Sequence, residues 1–426
     1  MQAWKLRSFH PIVRETPETP AGLSGDLRFR CCPSDFTQMG QNWTLESAAA
    51  EAGPELHPLA GARLSTFLRH ALLTPGLTSR SRHQRLIAWV VQAFRFPLAT
   101  FENVRYAGAI ARQKLDKPPI FLVGHWRSGT THLHNLMSRD EQFGFLKFSE
   151  TAMPFDMLGR KVEIARMFID RALPETRGYD NVKLTLDEPQ EEEMALGNLT
   201  SIGYYNIYYF PQQMRQHQQQ SLFFNEVTEK EKVNFQKNYE FLVRKLSFVK
   251  GGKQLLLKNP PSTTRMPMIK QMFPNAKFIH IVRNPWPVFS SSVGKFPRLY
   301  NAFAWQDFQN VDLEAFTLKN YGEVMEKYLR DREQMNLPPR DLFETSYEKL
   351  TADPLGEIGR IYDQLELSGA ENALEQIGKY LGDIKNYKKN RHRISAKDAE
   401  EIRSRWKFSF DEWGYPIDPP DDIVIE

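Results

Sequence analysis

The sequence predicts an α/β fold, a parallel sheet flanked by helices that is P-loop-like in its first strand-loop-helix unit and carries a helical N-terminal extension. Three observations predict it. Short apolar runs alternate with longer stretches of helical periodicity, which implies a parallel sheet with right-handed crossovers. The run Ile120-Phe121-Leu122-Val123 leads into Gly124-His125-Trp126-Arg127-Ser128-Gly129-Thr130-Thr131, which keeps the G-x-x-x-x-G spacing of a phosphate-binding loop. A second run, Phe278-Ile279-His280-Ile281-Val282, ends on Arg283 and opens another turn into a helix.

Taken in order, residues 1–60 read as an irregular or partly disordered lead-in, because from about Thr16 to Ala60 the chain is rich in Pro, Gly, Ser and Ala without periodicity. Residues 61–116 read as a helical extension. Leu86, Trp89, Val90 and Phe94 share a stripe there, with Arg80, Arg82, Arg85, Arg95, Arg105 and Arg112 around it. Leu86 to Phe94 is far too short to span a bilayer. Such a helix either packs its stripe on its own domain or lies on anionic lipid, which leaves peripheral membrane contact through 80–112 open. Residues 117–426 hold the main domain. Its candidate strands are Ile120–Val123, Leu255–Leu257, Phe278–Val282 and Leu342–Glu344, and helical periodicity is clearest over Arg265–Phe273 and Phe316–Gln334. In such sheets ligands bind at the carboxyl ends of the strands, where both turns lie.

Composition excludes some classes. Lys and Arg number 56 against 52 Asp and Glu, a formal charge of +4 that is too mild to argue for nucleic acid. The two cysteines, Cys31 and Cys32, are adjacent and cannot form a disulfide framework, so a reducing compartment is expected. Residues Met1 to Glu15 are interrupted by Lys5, Arg7, His10 and Arg14 and lack the apolar run of a signal peptide, which points to a cytoplasmic protein.

The loop at 124–131 can cradle an anion, because consecutive backbone N–H groups and the positive end of the helix dipole point at whatever fills it. In the ATP-binding version Lys follows the second Gly and a Ser or Thr holds Mg²⁺. Here Thr130 takes the Lys position and the cation is Arg127, inside the loop. The site should therefore hold a phosphate-like group without metal-triphosphate geometry. A kinase is disfavoured by Thr130 and by the lack of an evident Mg²⁺-binding Asp after an apolar strand, while a non-catalytic nucleotide-binding module stays open as a third reading. No metal is expected.

The stretch Arg127-Ser128-Gly129-Thr130-Thr131 resembles the 5′-phosphosulfate loop of the sulfotransferases that use 3′-phosphoadenosine 5′-phosphosulfate (PAPS). It is nearer the tyrosylprotein and carbohydrate members, which carry Arg here, than the cytosolic members with Lys. Arg283 and Ser291, eight residues apart, resemble the family's 3′-phosphate motif. A terminal phosphate needs a charge-assisted donor and a hydroxyl, and the planar fork of Arg suits it. The resemblance covers roughly Pro118 to Leu367 and makes 117–426 the catalytic domain, with PAPS as donor and a small-molecule or lipid-like hydroxyl as acceptor.

Sulfuryl transfer resembles phosphoryl transfer, so cations must surround the bridge between phosphate and sulfate. Arg127 is one, and Lys258, after the strand Leu255–Leu257, is the second that the resemblance supports. A general base must take the acceptor proton. Cytosolic members use a His two residues after that Lys, but here the position is Pro260. The tyrosylprotein members use a Glu roughly twenty residues past the loop Arg, and Glu150 is the matching first choice. Glu191 and Glu193, in the acidic run Asp187 to Glu193, are second choices. Carboxylates at a helix start also have an innocent origin in the dipole, and adjacent helical residues diverge by about 100°, so at most one or two can face a site. For the adenine, His132 takes the place of a stacking Trp, and Tyr347 belongs to a Tyr-Glu-x-Leu segment like the family's. The basic run Lys388 to Arg393 lies where the family closes on the 3′-phosphate. The aromatic density of Ile202–Phe224, with Trp286, Phe296, Tyr300, Phe303 and Trp305, suits an apolar alcohol, although aromatics at these spacings are more often core.

Overall fold

Strands β1 (Ile120–Val123), β2 (Phe143–Gly144), β3 (Gln254–Lys258), β4 (Lys277–Val282) and β5 (Leu342–Ser346) form one parallel sheet in the order β2-β3-β1-β4-β5. The computed structural model describes residues 44–50, 56–158, 187–383 and 392–426. Every residue of β1, β3 and β4 is buried, as a parallel sheet covered on both faces requires. Alternate residues serve alternate faces. Phe121, Val123, Leu255, Leu257 and Phe278 pack under helices α6 (Glu192–Leu199), α7 (Glu229–Val249) and α8 (Met266–Met272). Ile120, Leu122, Leu256, Ile279 and Ile281 pack under α4 (Thr130–Met137), α12 (Pro354–Gln364) and α13 (Ala370–Asp383).

A third core lies beside the sheet. Helices α9 (Pro285–Phe303), α10 (Leu313–Met335), α14 (Ala396–Arg405) and α15 (Lys407–Trp413) bury Trp286, Phe296, Tyr300, Trp406 and Phe410 there, together with Trp305 and Tyr204. The aromatic residues considered for an acceptor are thus largely core. The N-terminal helices α1 (Leu45–Ala50), α2 (Leu64–Leu73) and α3 (Arg82–Arg112) contribute Ala48, Phe67 and Ala88 to the same cluster. Helix α5 (Phe148–Ala152) follows β2, α11 (Tyr347–Ala352) follows β5, and a small parallel pair, β6 (His392–Ile394) with β7 (Ile423–Ile425), ends the chain.

The four expected strands are present, β1 with the expected bounds and the other three extended by one or two residues. The periodicity seen over 265–273 and 316–334 becomes α8 and α10. Most of the expected lead-in falls outside the described residues, as do Lys388 to Arg391 of the basic run; Arg393 is exposed and pairs with Glu426 at 2.7 Å. Helix α3 departs from one expected arrangement. Its stripe Leu86, Trp89, Val90 and Phe94 faces outward, and Gln84, Gln92, Arg95 and Glu102 are buried instead. These polar groups are answered: Gln92 donates to the carbonyls of Leu59 and Ala62, Arg95 pairs with Asp156, and Glu102 meets Lys245 Nζ at 2.8 Å. A buried polar face is stable when its partners are in place, and periodicity alone does not say which face those partners lie on.

Candidate active site

The loop between β1 and α4 is held open by backbone conformations that few side chains tolerate. Gly124 has φ +145° and Gly129 +99°, and a Cβ on Gly129 would stand 2.5 Å from Cδ2 of Tyr347. Arg127 itself has φ 72°, a left-handed conformation that costs a non-glycine residue about 1–2 kcal/mol. Its surroundings hold it there: its Nε donates to Ser291 Oγ at 2.6 Å and its carbonyl accepts from Arg283 Nη1 at 3.3 Å. The Gly124 N–H donates to Thr263 Oγ1 at 2.8 Å, and Ser128 Oγ closes the loop on the His125 carbonyl at 2.6 Å. His125 is buried between Trp126, Tyr321 and Asn320, and burial pushes its imidazole down to about 3, so it is neutral. The loop thus presents its backbone and Arg127, with α4 beginning at Thr130 behind it.

Lys258 ends β3 with its side chain fully buried, its Nζ 2.7 Å from Glu191 Oε1 and 3.4 Å from Thr131 Oγ1. Arg283 leaves β4 and lies over the Tyr347 ring at 4.3 Å, and the His132 ring meets the same Tyr edge-on at 6.4 Å. Burial pushes the His132 imidazole below its ordinary value. The structure therefore brings together Arg127, Ser128, Gly129, Thr130, Thr131, His132, Lys258, Arg283, Ser291 and Tyr347.

The three candidate carboxylates part company. Glu150 holds the Lys250 ammonium with both oxygens, at 2.7 and 2.9 Å, and accepts the Lys147 N–H at 2.8 Å. That pattern caps and anchors α5. Glu193 is bound by both terminal nitrogens of Arg265, by the Tyr204 N–H and by Asn259 Nδ2 in a fully buried cluster. Glu191 is the one beside Lys258, with Tyr205 Oη 3.4 Å from its other oxygen. Between them Glu192 accepts the Lys258 N–H at 2.7 Å, and burial pushes its carboxyl up to about 8 despite that bond and the Lys258 charge.

Sequence reasoning passed over Lys295. It lies on α9, one turn beyond Ser291, with its ammonium over Trp126 at 5.4 Å and Phe296 at 5.2 Å. Burial pushes it down to about 7, the Arg127 charge adding to the effect and Glu191 opposing it, so it shares the field of both groups. The signal available was its i, i+4 spacing from Ser291. Trp126, stacked on Tyr204 at 4.2 Å, was read only as a loop position.

A cradle floored by left-handed backbone and ringed by Arg127, Lys258, Lys295 and Arg283 suits a polyanion that carries a nucleoside. The sequence model of the sulfotransferase family matches residues 118–371, more than half of the chain. The chain belongs to the sulfotransferase family. It is 28% identical over 362 residues, covering 85% of this chain and 92% of the relative, to the omega-hydroxy-beta-dihydromenaquinone-9 sulfotransferase Stf3 of Mycobacterium bovis, and equally to that of Mycobacterium tuberculosis. Its fold is like that of sulfotransferase STF9 from Mycobacterium avium (TM-score 0.63, 15% identity, 86% of this chain and 95% of that one). It is also like sulfotransferase STF1 from Mycobacterium tuberculosis (TM-score 0.55, 15% identity, 76% and 87%). The enzyme is thus a sulfotransferase with the α/β fold expected of it, and with the family goes its sulfuryl donor, PAPS. The kinase and the non-catalytic module fall away with that membership.

Proposed function

We propose that this sulfotransferase moves the sulfuryl group of PAPS to the hydroxyl of a lipid-like small molecule, with Glu191 as the general base. The Glu191–Lys258 pair beside the loop carries this reading. The acceptor O–H gives its proton to Glu191 while its oxygen bonds to sulfur, and the bond from sulfur to the phosphate oxygen breaks, leaving 3′,5′-adenosine diphosphate. Charge grows on that oxygen as the bond breaks, and Arg127, Lys258 and Lys295 are the cations that would meet it. Lys258 then has two tasks in sequence: it holds Glu191 in the resting site, and in the reaction it turns to the leaving phosphate and frees the carboxylate. Glu150 takes no part in the chemistry, since all of its described partners fix α5.

Arg283 and Ser291 would take the 3′-phosphate and Tyr347 the adenine, supported by the stacking of Arg283 on Tyr347 beside the loop. Arg283→Ala should weaken 3′,5′-adenosine diphosphate by about 2–3 kcal/mol and the 5′-monophosphate far less, measured by calorimetry. Equal losses would move the 3′-phosphate elsewhere.

For the acceptor, the name of the mycobacterial relative specifies a terminal hydroxyl on an isoprenoid quinone. A cavity of about 430 Å³ between α2, the 201–220 stretch and the start of α7 has a mixed lining, with Leu73, Ile202 and Val227 beside Arg69, His217 and Glu231. The test is incubation with PAPS and long-chain isoprenoid alcohols, read by mass spectrometry for the gain of one sulfuryl group. Transfer to sugars or short phenols with none to the lipid alcohols would overturn the lipid-like acceptor while leaving the donor chemistry intact.

A further inference from the structure

Helix α3 is amphipathic with its apolar side outward. Leu86 is 60% exposed, Phe94 77% and Val104 75%, and Trp89, Val90, Phe96 and Leu98 add to a surface that runs from Leu86 to Val104, roughly 27 Å of the helix at 1.5 Å per residue. A monomer rarely leaves so long an apolar stripe bare without a use. The charges beside it have one sign. Arg82, Arg105 and Arg112 are exposed and Arg85 half-buried, whereas the sole acid of the helix, Glu102, is buried against Lys245.

We propose that α3 docks flat on an anionic lipid surface, its apolar stripe among the upper acyl chains and its arginines on the headgroups. The helix cannot cross instead, because its other face carries Gln84, Gln92, Arg95 and Glu102, and no helix among the described residues is long and apolar enough to span a membrane. Charge also argues against a second copy of the chain as occupant. Two α3 helices packed antiparallel would bring Arg82 and Arg85 of one onto Arg105 and Arg112 of the other, and packed parallel would set each arginine against its equivalent, with no exposed acid on either to answer. A phosphate-bearing bilayer supplies the missing negative charge. The docking stands on α3 alone and holds whichever alcohol accepts the sulfuryl group.

The full chain should sediment with vesicles of phosphatidylcholine mixed with phosphatidylglycerol and much less with phosphatidylcholine alone, and added salt should weaken the binding. Phe94→Ser with Val104→Ser should weaken it about tenfold or more at an unchanged melting temperature, because both side chains are largely exposed in the free protein. Arg82→Gln with Arg105→Gln should remove the preference for the anionic vesicles. Failure of the unaltered protein to bind the mixed vesicles would overturn the proposal, as would binding that the Phe94 and Val104 changes leave intact. A dimer in analytical ultracentrifugation that those two changes disperse would give the face to a second copy instead.

Discussion

Glu150 and Glu191 each hold a lysine ammonium at 2.7 Å, but the two lysines differ in what else they reach. Lys258 Nζ is also near Thr131 at the start of α4, while Lys250 Nζ closes back on both oxygens of Glu150. Glu191→Gln should therefore bind nucleotide normally and lose about 10²–10⁴ in kcat. Glu150→Gln should keep kcat and lose about 1–3 kcal/mol of stability, read from denaturant melts, because Lys250 is left buried beside a neutral group. Lost turnover at unchanged stability in the Glu150 variant would return the role to that residue. Both carboxylates were legible in the sequence as candidates. Their ranking was not, since distance along the chain does not reveal which ammonium each meets. Lys295 adds a pH signature. Burial holds it near 7 in the free enzyme, so if its charged form serves the reaction, kcat/KM falls as pH rises past about 7. The same limb in kcat should lie at higher pH, because a bound polyanion favours the ammonium. Lys295→Met should lose activity and the limb together, and Lys295→Arg should keep activity without the limb; an unchanged profile in Lys295→Met would remove it from the site.

At the scale of elements, the phosphate loop was the most legible part of the chain because its requirements are local. A strand, a left-handed turn and a helix start impose residue types at fixed offsets, and Gly129 shows why: its φ of +99° and the ring of Tyr347 leave no room for a Cβ. Gly129→Ala should lower the melting temperature and weaken 3′,5′-adenosine diphosphate at least tenfold, since the loop and the ring must move apart; normal affinity would mean the Tyr347 ring is free to yield. The strands β1, β3, β4 and β5 were visible because each is a short apolar run between helical stretches. Strand β2 was not among the four candidate strands, its two residues being too few to show a period. Pairs β6 and β7 were missed for the same reason, three residues each offering no alternation to read. Helix α3 shows a different limit. Its period was read correctly, but the inward face is chosen by partners far away in sequence, Lys245 and Asp156, which a local pattern does not contain.

Across the whole molecule, the acidic run that opens α6 ties the active site to stability through Glu192. Its carboxyl is completely buried, and burial lifts it to about 8, with the neighbouring Glu191 and Glu193 adding and the Lys258 N–H and ammonium opposing. The native state therefore holds a proton there that the unfolded chain, with an ordinary value near 4.5, releases. Between those two values the folded form binds more protons than the unfolded form, so this group's contribution to stability falls as pH rises, by at most about 1.4 kcal/mol per pH unit. Glu192→Gln keeps the shape and can still accept the Lys258 N–H, but it has no proton to lose. The difference in unfolding free energy, variant minus unaltered protein, should therefore grow more positive from pH 5 to pH 7. Lys295, pushed down to about 7, titrates above that value with the opposite sign, the unfolded chain then holding the extra proton, but it does so in both proteins and drops out of the difference. The buried imidazoles of His57, His70 and His125 titrate in both proteins and cancel in the difference. A difference that stays flat across the window would mean that Glu192 is ionised in the native protein. The Lys258 ammonium would then be balanced by two adjacent carboxylates, and Glu191 would be freer to act as a base than its pairing suggests.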